Sequence, residues 1–101
     1  MRDDPLDDHA ISEALTSLPG WSRDGDALTA RFTGDRAAIT GLYSDIAAVE
    51  DGSDHHAEIT VLYNRLGFRL NTHDSGDRIT WRDVELARSI TELCEARGFK
   101  A

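Results

Sequence analysis

The sequence predicts an α+β domain: a four-stranded antiparallel sheet covered by helices on one face, with the elements in the order α-β-β-α-β-β-α. Three observations predict it. Apolar residues recur at helical spacing in three stretches, they alternate with polar residues in two pairs of short runs, and each pair of runs closes across a few turn-forming residues. Strands that come as hairpins between helices favour an antiparallel sheet with the helices packed against it.

Residues 1–8 hold four aspartates and one proline, a composition that buries nothing, so the sequence predicts a mobile acidic arm there and a single domain over 9–101. Ala10, Ile11, Ala14, Leu15 and Leu18 give a short first helix over 9–18, which Pro19-Gly20 stops. Residues 21–23 and 27–32 flank Asp24-Gly25-Asp26, and Leu28, Ala30 and Phe32 alternate with Thr29 and Arg31, as a half-buried hairpin strand does. After Gly34-Asp35, the stripe Ala38, Ile39, Leu42, Tyr43, Ile46, Val49 predicts a long helix to about residue 49. Residues 50–54, Glu-Asp-Gly-Ser-Asp, read as non-core. Ile59, Val61 and Tyr63 then alternate on a third strand and Leu66, Phe68 and Leu70 on a fourth, with Asn64-Arg65 as the turn and Tyr63 in the core. Thr80-Trp81-Arg82-Asp83 has the T-x-x-D form of a capping box. It opens a last helix whose stripe is Val84, Ala87, Ile90, Leu93 and Cys94, and which Gly98 ends.

Composition limits what such a chain does. At 101 residues it forms one core, burying about 60 to 65 per cent of the surface its unfolded chain exposes. A formal charge of −8 argues against unaided binding to nucleic acid, where affinity comes from Lys and Arg releasing counterions. The single cysteine, Cys94, permits no internal disulfide and reads as a packed thiol. No stretch approaches the roughly 20 apolar residues of a membrane span or a signal peptide's apolar run, so the expectation is a cytoplasmic protein with no membrane partner.

Three of the four histidines fall at element boundaries: His55 and His56 before the third strand, His73 after the fourth. If those strands pair as an antiparallel hairpin, the start of one lies beside the end of the other and the three imidazoles converge. Imidazole both donates and accepts protons near neutral pH, which suits addition or elimination of water. Surface histidines without a role are the competing reading. So is a metal site of His55, His56 and His73 with Glu58 or Asp74, although adjacent histidines diverge on an extended backbone. The reading adopted is acid/base chemistry with no metal and no cofactor.

The run Asp51-Gly52-Ser53-Asp54-His55-His56-Ala57-Glu58, then Tyr63, then Leu70-Asn71-Thr72-His73-Asp74, resembles the signature of the pterin-4a-carbinolamine dehydratases. In that family an acidic residue precedes His-His-Pro and a Thr-His pair closes the next hairpin. Gly20-Trp21, Asp83 and Leu86-Ala87 match further family positions, so the resemblance runs from about Leu15 onward. Ala57 stands where the family has proline, and the segment between His73 and Asp83 has one residue more, with Asp77-Arg78 where a glycine and an apolar residue are common.

The resemblance implies loss of water from a 4a-hydroxytetrahydropterin to give a quinonoid dihydropterin. By it, His55 and His73 are the acid and base in unassigned order and His56 holds the pterin. Asp51 and Asp83 support the imidazoles, and Glu58, Asp74 and Trp81 are further candidates for binding or support. Asp83 also reads as a helix cap, Glu58 as a solvent-facing strand residue and Trp81 as a packing aromatic. Two other functions compete. Ala57 and the altered loop motivate a dehydratase repurposed for another small molecule, and relatives of this fold look like dimerisation partners or assembly factors with no catalysis. An open sheet edge leads to the expectation of a homodimer or homotetramer.

Overall fold

The computed structural model describes residues 3–101. Helix α1, Asp8–Leu15, begins where the Asp7 carboxylate accepts the Ala10 N–H at 2.8 Å, and it buries Ile11 and Ala14. It ends three residues earlier than the periodicity predicts, because the Thr16 and Ser17 hydroxyls turn back onto the carbonyls of Glu13 and Ala14. Leu18 is still buried, through the turn that follows. In the stretch read as an arm, the Leu6 N–H donates to the Ile79 carbonyl at 2.9 Å and the Ser75 hydroxyl donates to the Asp3 carbonyl. The first two residues of that stretch lie outside the described residues.

Strands β1, Trp21–Asp24, and β2, Ala27–Thr33, form the first hairpin. Strands β3, Glu58–Leu62, and β4, Arg65–Leu70, form the second, and β2 pairs with β4 to give one antiparallel sheet of order β1-β2-β4-β3. Leu28 lies opposite Leu70 and Phe32 opposite Leu66, so the alternating apolar residues share one face of the sheet. There they meet helices α1, α2 (Ile39–Ser53) and α3 (Trp81–Ala96) in a single core. Trp21 belongs to that core; its ring lies 6.1 Å from Phe68 and its indole N–H donates to Thr91 Oγ1 at 2.8 Å. Gly34 has no room for a side chain: a Cβ there would sit 2.6 Å from the Phe99 ring, which closes the core from the C-terminal side.

Two local expectations change. Helix α2 runs through Ser53 rather than ending near residue 49, and Glu50 is buried at 5% exposure. Position 50 continues the inward stripe of Ile39, Leu42 and Ile46, so helical geometry carries a carboxylate inside where composition alone reads surface. The second hairpin turns at Tyr63-Asn64, one residue earlier than predicted, since Leu62 pairs with Arg65. A two-residue turn of this kind needs positive φ at its first central residue. Tyr63 takes it, at +52°, and is 69% exposed instead of in the core. Its carbonyl accepts from Arg36, whose guanidinium lies 5.8 Å from the tyrosine ring.

The register determines what meets at one end of the sheet. Glu58, first in β3, pairs with Arg69, one residue before the end of β4. The α2–β3 connection and the segment after β4 are therefore neighbours, and α3 starts beside both.

Candidate active site

His55 and His56 sit in the connection that follows α2. Asp54 ends that helix in the left-handed region at φ 51°, which turns the chain towards β3. His73 opens a single 3-10 turn, His73–Ser75, immediately after β4. All three histidines line one pocket of about 280 Å³, together with Asn71, Asp74 and Arg82. A larger hollow of about 490 Å³ between α2 and α3 contains only His55 of the three. Of the two, the smaller pocket is the one that brings several imidazoles together.

Each imidazole has a carboxylate partner. His55 Nε2 lies 2.7 Å from Asp83 Oδ1, His56 Nε2 lies 3.3 Å from Asp51 Oδ1, and His73 Nδ1 lies 2.9 Å from Asp77 Oδ1. The first pair is buried and the other two are exposed. An ionised carboxylate only accepts, so Nε2 of His55 carries its proton towards Asp83 and Nδ1 is left as the free nitrogen.

Asp83 does two things at once. Its Oδ2 accepts the Thr80 N–H at 2.9 Å, closing the capping box that starts α3, and also accepts the Thr72 hydroxyl at 2.8 Å. With its proton given to the carboxylate, Thr72 accepts from the Thr80 hydroxyl, 2.7 Å away. A buried network Thr80, Thr72, Asp83, His55 results, and among the described residues no fully buried side-chain polar atom lacks a partner. The helix cap and the imidazole support, alternatives in the sequence, are one carboxylate.

His73 differs in kind. Its hydrogen bond to Asp77, then the negative charge of Asp77 and of Asp74, hold its pKa above the ordinary 6.5. Arg82, beside Asp83 in the first turn of α3, donates from Nη2 to the Ser53 and Asp54 carbonyls at 3.2 and 3.0 Å. It thereby satisfies carbonyls at the C-terminus of α2 just ahead of His55.

The remaining candidates separate. Asp74 lines the pocket, and Asp51 and Asp83 contact it through His56 and His55. Glu58 lies instead on the open face of the sheet, in a hollow with Thr60 and Arg69. Trp81, first in α3 and partly exposed, is not among the pocket's lining residues. Asp77, Arg82 and Thr72 carry contacts that sequence reasoning did not assign. Only Asp77 left a signal, four residues after His73 and within reach of it across one turn. Among the described residues, no group of three or more His, Cys, Asp or Glu side chains is arranged to hold a metal ion.

The family model for pterin 4 alpha carbinolamine dehydratase matches residues 4–93. The chain belongs to that family. Pterin-4a-carbinolamine dehydratases are hydro-lyases, and similar proteins span this chain almost end to end. A Streptomyces coelicolor protein provisionally named a pterin-4-alpha-carbinolamine dehydratase is 34% identical over 97% of this chain and 98% of its own. One from Thermomicrobium roseum, with the same provisional name, is 42% identical over 87% and 95%. A crystal structure from Brucella melitensis, described as a transcriptional coactivator/pterin dehydratase, superposes with a TM-score of 0.84 at 30% identity. It covers 89% of this chain and 98% of that one. The α+β architecture of this dehydratase-family chain is thus shared with a solved structure. No helix among its described residues is long and apolar enough to cross a membrane.

Proposed function

We propose that the three-histidine pocket removes water from a 4a-hydroxytetrahydropterin to give a quinonoid dihydropterin. The observation that carries this reading is the convergence of His55, His56 and His73 on one small pocket, each imidazole with its own carboxylate. The C4a hydroxyl is a poor leaving group, so an imidazolium protonates it as the C–O bond breaks and water departs. A second imidazole takes a proton from a ring nitrogen, and the electron pair released forms the quinonoid system. Proton return from base to acid restores the enzyme, and the balance is one water lost.

His73 suits the acid because Asp77 and Asp74 favour its protonated form. His55 suits the base because its Nε2 proton is committed to Asp83, leaving Nδ1 with a lone pair. His56, which lines the same pocket, holds the pterin, and Asp74, also in the lining, supports binding.

Replacing His55 or His73 by alanine is expected to lower turnover by about 10²-fold or more each. Full activity in both variants would refute the acid/base assignment. A substrate panel separates this reading from a repurposed dehydratase.

The same reading includes a homodimer formed through β3. That strand is an edge of the sheet, and Val61 and Leu62 at its end and Tyr63 in the turn that follows are exposed. A cytoplasmic setting accords with the single unpaired cysteine.

A further inference from the structure

Among the described residues, Glu50 and Asp83 are the two buried carboxylates, and only Asp83 touches an imidazole. Glu50 has no part in the proposed proton transfers, yet burying a charge requires a strong partner. Its partner is the main chain around the histidine pair. The Glu50 carbonyl accepts the N–H of Asp54 and, at 3.2 Å, that of His55. Its carboxylate oxygen Oε2 accepts the N–H of Ala57 at 2.6 Å. One residue thus binds the backbone where it enters the His55-His56 dipeptide and where it leaves. Hydrogen bonds to an ionised acceptor in a buried setting are short and strong, so this bracket is stiff.

The bracket depends on the identity of residue 57. Proline has no N–H and could not donate to Glu50. Alanine stands there, at the place where the family's His-His-Pro pattern has proline. A covalent restraint on φ is absent, and a hydrogen bond from the Ala57 N–H to a buried carboxylate occupies the same stretch of chain.

We propose that Glu50 is a positioning residue: through Ala57 and His55 it fixes the backbone of residues 54–57, seating the His55 ring against Asp83 and holding His56 in the pocket. The kinetic part of this proposal rests on the acid/base function proposed above; the structural part does not.

The test compares Ala57→Pro, Ala57→Gly, Glu50→Leu and Glu50→Gln in the intact protein. The readouts are the ring signals of His55 and His56 by NMR, kcat and KM for the carbinolamine, and the melting temperature. Ala57→Pro removes the donor and Glu50→Leu removes the acceptor without stranding a charge, so each stands in if the other fails to fold. Both are expected to shift or broaden the two ring signals and to lower kcat about tenfold or more with KM changed far less, as misplacement of reacting groups does. Ala57→Gly keeps the N–H and should retain the wild-type ring signals and kcat; Glu50→Gln keeps an acceptor oxygen without the charge and should fall between the wild type and Glu50→Leu in both. The proposal is overturned if Ala57→Pro or Glu50→Leu lowers the melting temperature while leaving ring signals and kcat as in the wild type. If the wild type shows no dehydration at all, the reaction reading fails, and the ring signals alone still decide the role of Glu50.

Discussion

The Asp83 carboxylate, with no solvent exposure, accepts a 2.7 Å hydrogen bond from Nε2 of His55 while its other oxygen closes the capping box of α3. Folding of the last helix and orientation of one imidazole therefore depend on the same ion. Asp83→Ala leaves the His55 Nε2–H, the Thr72 hydroxyl and the Thr80 N–H without an acceptor. Breaking a buried pair this way costs about 3 to 5 kcal/mol, which denaturant unfolding measures directly. Asp83→Asn should fall between, because its amide group faces a donor whichever way it flips.

The pH response of His73 follows from its neighbours. Its pKa is raised in the folded state, first by the hydrogen bond to Asp77. The folded protein holds that proton more tightly than the unfolded chain does. The stability it contributes is therefore full below the unfolded value and is lost as pH rises through the folded one. An NMR titration should place His73 above 6.5, with Asp77→Asn lowering it and Asp74→Asn lowering it less. With His73 as the acid, the alkaline limb of the turnover profile should move to lower pH in Asp77→Asn. An unchanged limb would assign the acid's part elsewhere.

The architecture was legible in the sequence because hydrophobic period separates helix from strand, and hairpin order then specifies the sheet. The alternation of Leu28, Ala30 and Phe32 and the stripe of α3 are read in this way. Local details were less legible where one residue decides. The turn at Tyr63-Asn64 departs by one position because a tyrosine accepts positive φ, which propensity does not foresee. Glu50 is buried because the helix continues past the apolar run, and an acidic stretch reads as surface. In the site, the meeting of three histidines follows from hairpin topology, whereas their carboxylate partners do not. Asp83 is 28 residues from His55 in sequence, and only packing of α3 against the α2–β3 connection joins them.

Cys94 is buried on α3, and burial, then Glu95, pushes its thiol up to about 12. The thiolate is the reactive form, so alkylation near neutral pH should be negligible in the native protein and rapid once it unfolds. Mass spectrometry after iodoacetamide treatment, with and without denaturant, checks this. Rapid native labelling would contradict the packing described for α3.

A dimer through β3 predicts that a charge in its exposed end disrupts assembly. Leu62, 64% exposed, is the test position. The wild type should sediment as a dimer at micromolar concentration and Leu62→Lys as a monomer, while both keep the same helical content. A monomeric wild type would remove the edge-strand dimer from the proposal.

The measurement that bears most directly on the central claim is the rate at which freshly generated 4a-hydroxytetrahydropterin loses water with the purified protein present. The comparison is a His55→Ala/His73→Ala double variant, both of whose substitutions lie in the pocket. The account predicts clear acceleration by the wild type and loss of that acceleration in a folded double variant. Equal rates with wild type, double variant and buffer would contradict it and leave the pocket to another substrate or to binding alone.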